Sequence, residues 1–187
     1  WGTVFCISLA MFVLIAAAFM PVALLTPIAG HLGITEGQAG QAIAFSGLFA
    51  VLTSIFGANF TGGFDRRTVL LIYTLVLIGS GLAVTFAPNY QVFMLGRALI
   101  GMAIGGYISL TPAVIARIVP ERDVAKALSM LQGGSALAAV VAQPMGSYLG
   151  GLVGWRGAFF VLLPITAIVL FWQAIALPKL PSRGSKT

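Results

Sequence analysis

Residues 68–116 read TVLLIYTLVLIGSGLAVTFAPNYQVFMLGRALIGMAIGGYISLTPAVIA, and the one charged side chain in that stretch is Arg97. It is long enough to cross a ~30 Å hydrocarbon core twice, since each crossing takes ~20 helical residues. The pattern continues on both sides, with uncharged runs over 1–35, 37–64, 127–155 and 157–178. Of the 187 residues, 59% are hydrophobic and 7% charged, whereas a soluble domain carries ~25% charged residues. Mean hydropathy is +1.06. A water-soluble globule is excluded. The sequence predicts an all-α polytopic membrane protein with six transmembrane helices, over 4–28, 38–60, 68–87, 92–119, 124–153 and 157–177. These form a bundle over 1–177, and 178–187 form a polar tail.

The net charge of +6 would suggest nucleic acid in a soluble protein. Here the basic residues sit at span ends, so no nucleic-acid partner is expected. Arg66, Arg67, Arg117, Arg122, Lys126, Lys179, Arg183 and Lys186 fall on one side of the membrane. Arg156 falls on the other, with Arg97 further in. The positive-inside rule then places both termini in the cytoplasm. Cys6 is the only cysteine, which rules out an intramolecular disulfide or a cysteine metal cluster. His31, the only histidine, is assigned to the outer loop between the first two spans, near Glu36. No metal or cofactor is expected. An intramembrane protease needs a nucleophile and a base together at membrane depth; a lone loop histidine argues against an enzyme.

A weak internal repeat runs through the chain. Pro21 lies in Phe19-Met20-Pro21-Val22-Ala23 of the first span, and Pro112 lies in Leu110-Thr111-Pro112-Ala113-Val114 of the fourth. The basic turn at Arg66 has a counterpart at Arg156. Three spans per copy require the second copy to be inverted, an arrangement found in secondary transporters.

Four motifs stand out. The loop after the second span reads Gly62-Gly63-Phe64-Asp65-Arg66-Arg67, and the fourth span opens Gly96-Arg97-Ala98-Leu99-Ile100-Gly101-Met102-Ala103-Ile104-Gly105-Gly106. The fifth ends Gln143-Pro144-Met145-Gly146-Ser147-Tyr148-Leu149-Gly150-Gly151, then Gly154-Trp155-Arg156-Gly157-Ala158-Phe159. The first contains Phe19-Met20-Pro21-Val22-Ala23-Leu24-Leu25-Thr26-Pro27. Together these resemble the N-terminal half of a major facilitator superfamily transporter. The resemblance is greatest to the drug/proton antiporter branch, near bacterial sugar- and purine-nucleoside-efflux permeases. It implies a twelve-helix fold of which this is half, in a bacterial inner membrane, exporting a small organic solute by alternating access with proton coupling. Three departures from the family pattern stand out. Thr61 replaces the first glycine of the loop motif, with Arg67 directly after Arg66; Gln143 replaces glycine before Pro144; and Ala18 stands where many relatives carry a membrane-embedded glutamate.

The residues suggest roles. Arg97 lies ~9 Å inside its span at ~1.5 Å per residue. A guanidinium there costs at least ~2.5 kcal/mol and needs a polar cavity or a partner. The uncharged spans hold no Asp or Glu to pair with it. Gly101 and Gly105, and likewise Gly146, Gly150 and Gly154, are spaced four apart as helix-packing stripes. Pro21, Pro112 and Pro144 can kink helices and free carbonyls toward a cavity. By the resemblance, Asp65, Arg66 and Arg67 form a cytoplasmic latch and Arg97 serves coupling. Candidate substrate contacts are Ser46, Tyr107, Ser109, Thr111, Gln132 and Gln143, with Thr53, Ser54, Asn59 and Ser135 as further polar positions. Single Ser and Thr residues in such helices commonly bond their own backbone instead. The tail resembles the start of an inter-domain linker, so a C-terminal six-helix half is the expected partner, beside lipid and a small-molecule substrate. The alternative is a half-size bundle, acting as a homodimeric carrier or as an interaction subunit without transport.

Overall fold

The computed structural model describes residues 1–61 and 64–178, with 58–61 as backbone alone. Gly62, Gly63, the Asn59 side chain and residues 179–187 of the tail lie outside the described residues. The elements are α1 (Gly2–Phe19), a 3-10 turn (Met20–Leu24), α2 (Leu25–Leu32), α3 (Glu36–Thr61), α4 (Arg66–Thr85), α5 (Tyr90–Ile118) and α6 (Glu121–Ala176). Among the described residues, counting α1 through α2 as one, five helices are long and apolar enough to cross a membrane.

The last of the five is two arms. Gly154, at φ 75° and ψ 166°, is non-helical inside α6, a backbone conformation that glycine adopts without a Cβ penalty. Contacts along α6 trace its path. Lys126 Nζ lies 5.2 Å over the Trp1 ring; Trp155 meets His31 edge-on at 5.8 Å; and the Ala176 carbonyl accepts from Thr3 Oγ1 at 3.1 Å. The helix therefore runs from one end of the bundle to the other and back. Gly154 was expected to belong to a packing stripe; it is instead the turn, and nothing lies within 4 Å of a Cβ built there.

Helix ends follow their capping chemistry. Thr35 and Gln38 form a capping box at the start of α3, the Gln38 N–H donating to Thr35 Oγ1 at 3.2 Å and the Thr35 N–H to Gln38 Oε1 at 3.0 Å. Asp65 caps α4 by accepting from the Arg67 N–H at 3.0 Å, and Asn89 caps α5 by accepting from the Val92 N–H at 3.0 Å. Gly33, at φ 65°, ends α2 in a left-handed cap. His31 consequently sits on the last turn of α2, not in a loop: the helix continues past Pro27 until Gly33 stops it.

Packing places α5 at the centre, against α3 and α4, while α1 lies along α6 and α4 also meets α6. Lipid gives no hydrophobic drive between helices, so close contact depends on small residues. A Cβ on Gly101 would fall on the Ser46 carbonyl oxygen, and one on Gly105 on the Ala50 carbonyl oxygen. The α3–α5 crossing is thus backbone against backbone. On α6, Cβ atoms at Gly146 and Gly150 would meet Met20 and Leu24 of the 3-10 turn.

Candidate functional site

α5 carries Arg97 into the interior, where it is 1% exposed. Its Nη1 donates to the Ala17 carbonyl at 3.3 Å, and its Nη2 to the Ala18 carbonyl and to Ser46 Oγ, both at 3.1 Å. The sequence of α1 explains why those carbonyls are available. Pro21 has no N–H, so the carbonyl four residues earlier, that of Ala17, has no helical donor. The 3-10 turn over Met20–Leu24 shifts hydrogen bonding to i→i+3, which takes the usual donor away from Ala18 as well. Ser46 Oγ donates to the Ile43 carbonyl at 2.7 Å, leaving its lone pairs for the guanidinium. One side chain therefore joins α1, α3 and α5. The buried Nε of Arg97 has no hydrogen-bond partner among the described residues. A cavity of about 20 Å³ lined by Arg97, Ser80 and Thr166 lies beside it, room for a single water.

A second buried polar group joins α4, α5 and α6. Gln173 Nε2 donates to Tyr107 Oη at 2.7 Å, and Thr74 Oγ1 donates to Gln173 Oε1 at 2.8 Å. All three residues are buried. Tyr107 is thus fully buried and joins α5 to α6. Tyr107→Phe leaves the Gln173 amide without its acceptor, which costs about 1–3 kcal/mol. Thermal unfolding in detergent should show a lower midpoint, and an unchanged midpoint would contradict the assigned contact.

A groove of small-molecule size lies elsewhere. Met11 and Ile15 of α1, Ile108 and Pro112 of α5, and Gln132 and Ser135 of α6 line a groove of about 380 Å³, within the ~300–1,000 Å³ of small-molecule sites. Gln132 is exposed along it. Ser135 Oγ donates to the Gln132 carbonyl at 2.9 Å. The other substrate candidates do not meet there. Thr111 is fully buried and donates to the Tyr107 carbonyl at 2.6 Å. Ser109 donates to the Gly106 carbonyl at 3.0 Å, and Ser54 to the Gly105 carbonyl at 3.1 Å. Ser46 belongs to the Arg97 centre. Gln143 and Pro144 are exposed on α6. Gln173 and Thr74 were not among the sequence candidates; a glutamine in the last uncharged run was the available signal.

The charged turn gathers helix ends. Asp65 caps α4, and Arg67 donates through Nη2 to the Ala174 carbonyl, one of the last carbonyls of α6 and without a helical donor. Arg66 is the first residue of α4. Trp1, this turn, the α5–α6 connection and the end of α6 occupy one end of the bundle; His31, Tyr90, Trp155 and Arg156 occupy the other. Tyr90 Oη donates to the Gln38 carbonyl at 3.0 Å, and Arg156 Nη2 to the Ala87 carbonyl at 2.5 Å. Among the described residues, no group of three His, Cys, Asp or Glu could hold a metal ion.

The bundle is all-helical, with a buried arginine, glycine-mediated crossings and a 3-10 break at Pro21. The sequence pattern of the Major Facilitator Superfamily matches residues 5–187, and the chain belongs to that family. It is 52% identical over 180 residues to the "Transcription regulatory protein OpdE" of Pseudomonas aeruginosa, covering 96% of this chain and 45% of that protein. It is 38% identical over 185 residues to the "Purine ribonucleoside efflux pump NepI" of Salmonella typhimurium, covering 99% and 47%. The chain thus spans about half the length of these relatives. Among solved structures, the inward-facing, unoccupied bacterial homolog of the human lysosomal transporter Spinster superimposes with a TM-score of 0.85 at 16% identity, over 99% of this chain and 44% of that one. A D-xylose–proton symporter gives 0.84 at 15%, over 96% and 48%. At such identities these two establish the fold alone.

Proposed function

We propose that this bundle is half of an efflux permease that exports a small organic solute from the cytoplasm across a bacterial inner membrane. Transport proceeds by alternating access, the bundle rocking against a second six-helix half around the groove, and is coupled to protons. The basic end of the bundle faces the cytoplasm, and both termini lie on that side. The observation that carries the reading is the 380 Å³ groove, where Gln132 and Ser135 supply hydrogen bonding on an otherwise apolar wall. That lining suits a neutral solute with an aromatic or hydroxyl-rich body, and the identity to a purine ribonucleoside efflux pump supports a nucleoside-like one. The uncharged spans of this half hold no carboxylate, so Arg97 contributes a fixed positive charge and not a proton carrier. Asp65, Arg66 and Arg67 close the cytoplasmic side as a latch, and the Gly101, Gly105, Gly146 and Gly150 contacts with Pro21, Pro112 and Pro144 are the seams along which helices shift.

The test is export of a labelled purine ribonucleoside by the full-length protein and its Gln132→Ala variant at equal membrane abundance. Losing one hydrogen bond worth about 0.5–1.5 kcal/mol should lower apparent affinity roughly 2- to 10-fold. Equal affinity in both forms would remove Gln132 from the site. The half-size alternative, a dimerising or scaffolding bundle without transport, predicts no protein-dependent export in either form.

A further inference from the structure

Thr85 at the end of α4, Phe86 and Pro88 after it, and Arg156, Gly157 and Phe160 beyond the α6 turn line an open surface pocket of about 440 Å³. It shares no lining residue with the groove between α1, α5 and α6. Two of its lining residues carry unmet donors: Arg156 Nε and Thr85 Oγ1 are buried and have no hydrogen-bond partner among the described residues. Thr85 is 5% exposed, so bulk water does not satisfy its hydroxyl. The Arg156 guanidinium lies 4.9 Å over the Trp155 ring and reaches the Ala87 carbonyl; those contacts orient its charge without neutralising it. An unneutralised cation and a free hydroxyl donor on one wall call for an anionic oxygen.

The rest of the wall identifies its source. Phe86 and Phe160 are 67% and 53% exposed, and the pocket sits where α4 ends and α6 turns, at the end of the bundle that also carries Tyr90 and Trp155. Apolar rings beside a cation at an aromatic-rich helix end match a lipid, whose phosphate lies at the interface and whose acyl chain runs along the helices. The geometry points to a phospholipid site, in which Arg156 Nε and Thr85 Oγ1 donate to the phosphodiester and Phe86 and Phe160 flank the first acyl methylenes.

Native mass spectrometry of the full-length protein, delipidated in detergent and titrated with phosphatidylglycerol or phosphatidylethanolamine, tests this. Arg156→Gln should lower phospholipid occupancy at least fivefold and Arg156→Lys should restore most of it. Thr85→Val should lower occupancy two- to threefold. Arg122→Gln, at the opposite end with a side chain 86% exposed, should leave it unchanged. Inorganic phosphate at the same concentrations should neither bind nor displace lipid. Equal occupancy in Arg156→Gln overturns the proposal, and displacement by inorganic phosphate overturns it in favour of a free-anion site. If Arg156→Gln does not fold, Thr85→Val decides alone, unchanged occupancy there being contradictory.

Discussion

Arg97→Ala should abolish export, with initial rates falling at least 100-fold while membrane abundance stays within about twofold. Removing the guanidinium strips three hydrogen bonds from the meeting point of α1, α3 and α5. The Ala17 carbonyl has no other donor to return to, because Pro21 lacks an N–H. An unmet buried polar group costs about 1–3 kcal/mol, so the α1 break should lose its anchor. Insertion should not suffer, since alanine removes the ~2.5 kcal/mol or more that an arginine costs within a span. Arg97→Lys separates charge from geometry. A single ammonium cannot match a planar fork that bridges two helices, so export should fall roughly tenfold and not vanish. Unchanged export by Arg97→Ala, measured as initial efflux rate at equal abundance, contradicts the role given to this centre.

Gly105→Val should have the largest effect on stability. A Cβ at this position lands on the Ala50 backbone carbonyl, which cannot swing aside as a flexible side chain can. Over-packing of this kind costs about 1–3 kcal/mol, equivalent to a fall of roughly 2–12 °C in unfolding midpoint at ~2–4 °C per kcal/mol. Gly47→Val on α3 is the control, because nothing lies within 4 Å of its Cβ. Differential unfolding in detergent reads both. Equal midpoints for the two variants would mean that α3 and α5 do not cross as closely as their backbones indicate.

Much of the fold was legible because lipid imposes one requirement: every backbone group must be satisfied within a helix. Uncharged runs therefore marked the spans to within about two residues at most ends. The turn in α6 falls at Gly154, in the gap left between the spans expected over 124–153 and 157–177, but the part this glycine plays was not legible. Gly146, Gly150 and Gly154 share a spacing, yet the first two pack against Met20 and Leu24 while the third carries φ 75°; spacing cannot distinguish contact from conformation. The burial of Arg97 and the carbonyl-freeing effect of Pro21 could both be read, but not that each answers the other, since backbone carbonyls leave no trace in a residue pattern. Tyr107 and Gln173 meet across 66 positions, so tyrosine in a cavity-lining span was assigned to substrate when its partner was another helix. Thr111, Ser109 and Ser46 each bond a carbonyl three or four residues back, the local competition that makes hydroxyl side chains poor markers of a site.

Alternating access would make the groove between α1, α5 and α6 a water-filled path reached in turn from both sides of the membrane. Ile108, 45% exposed and lining that groove, is the position to probe. In the full-length protein with other reactive cysteines removed, Ile108→Cys is treated with a membrane-impermeant thiol reagent in right-side-out and in inside-out vesicles. Cys6 is fully buried and stays silent. Alternating access predicts labelling from both sides, reduced from each by transported solute. Labelling from neither side, with reaction only toward a lipid-soluble reagent, would make the groove a lipid-facing surface and contradict the carrier account.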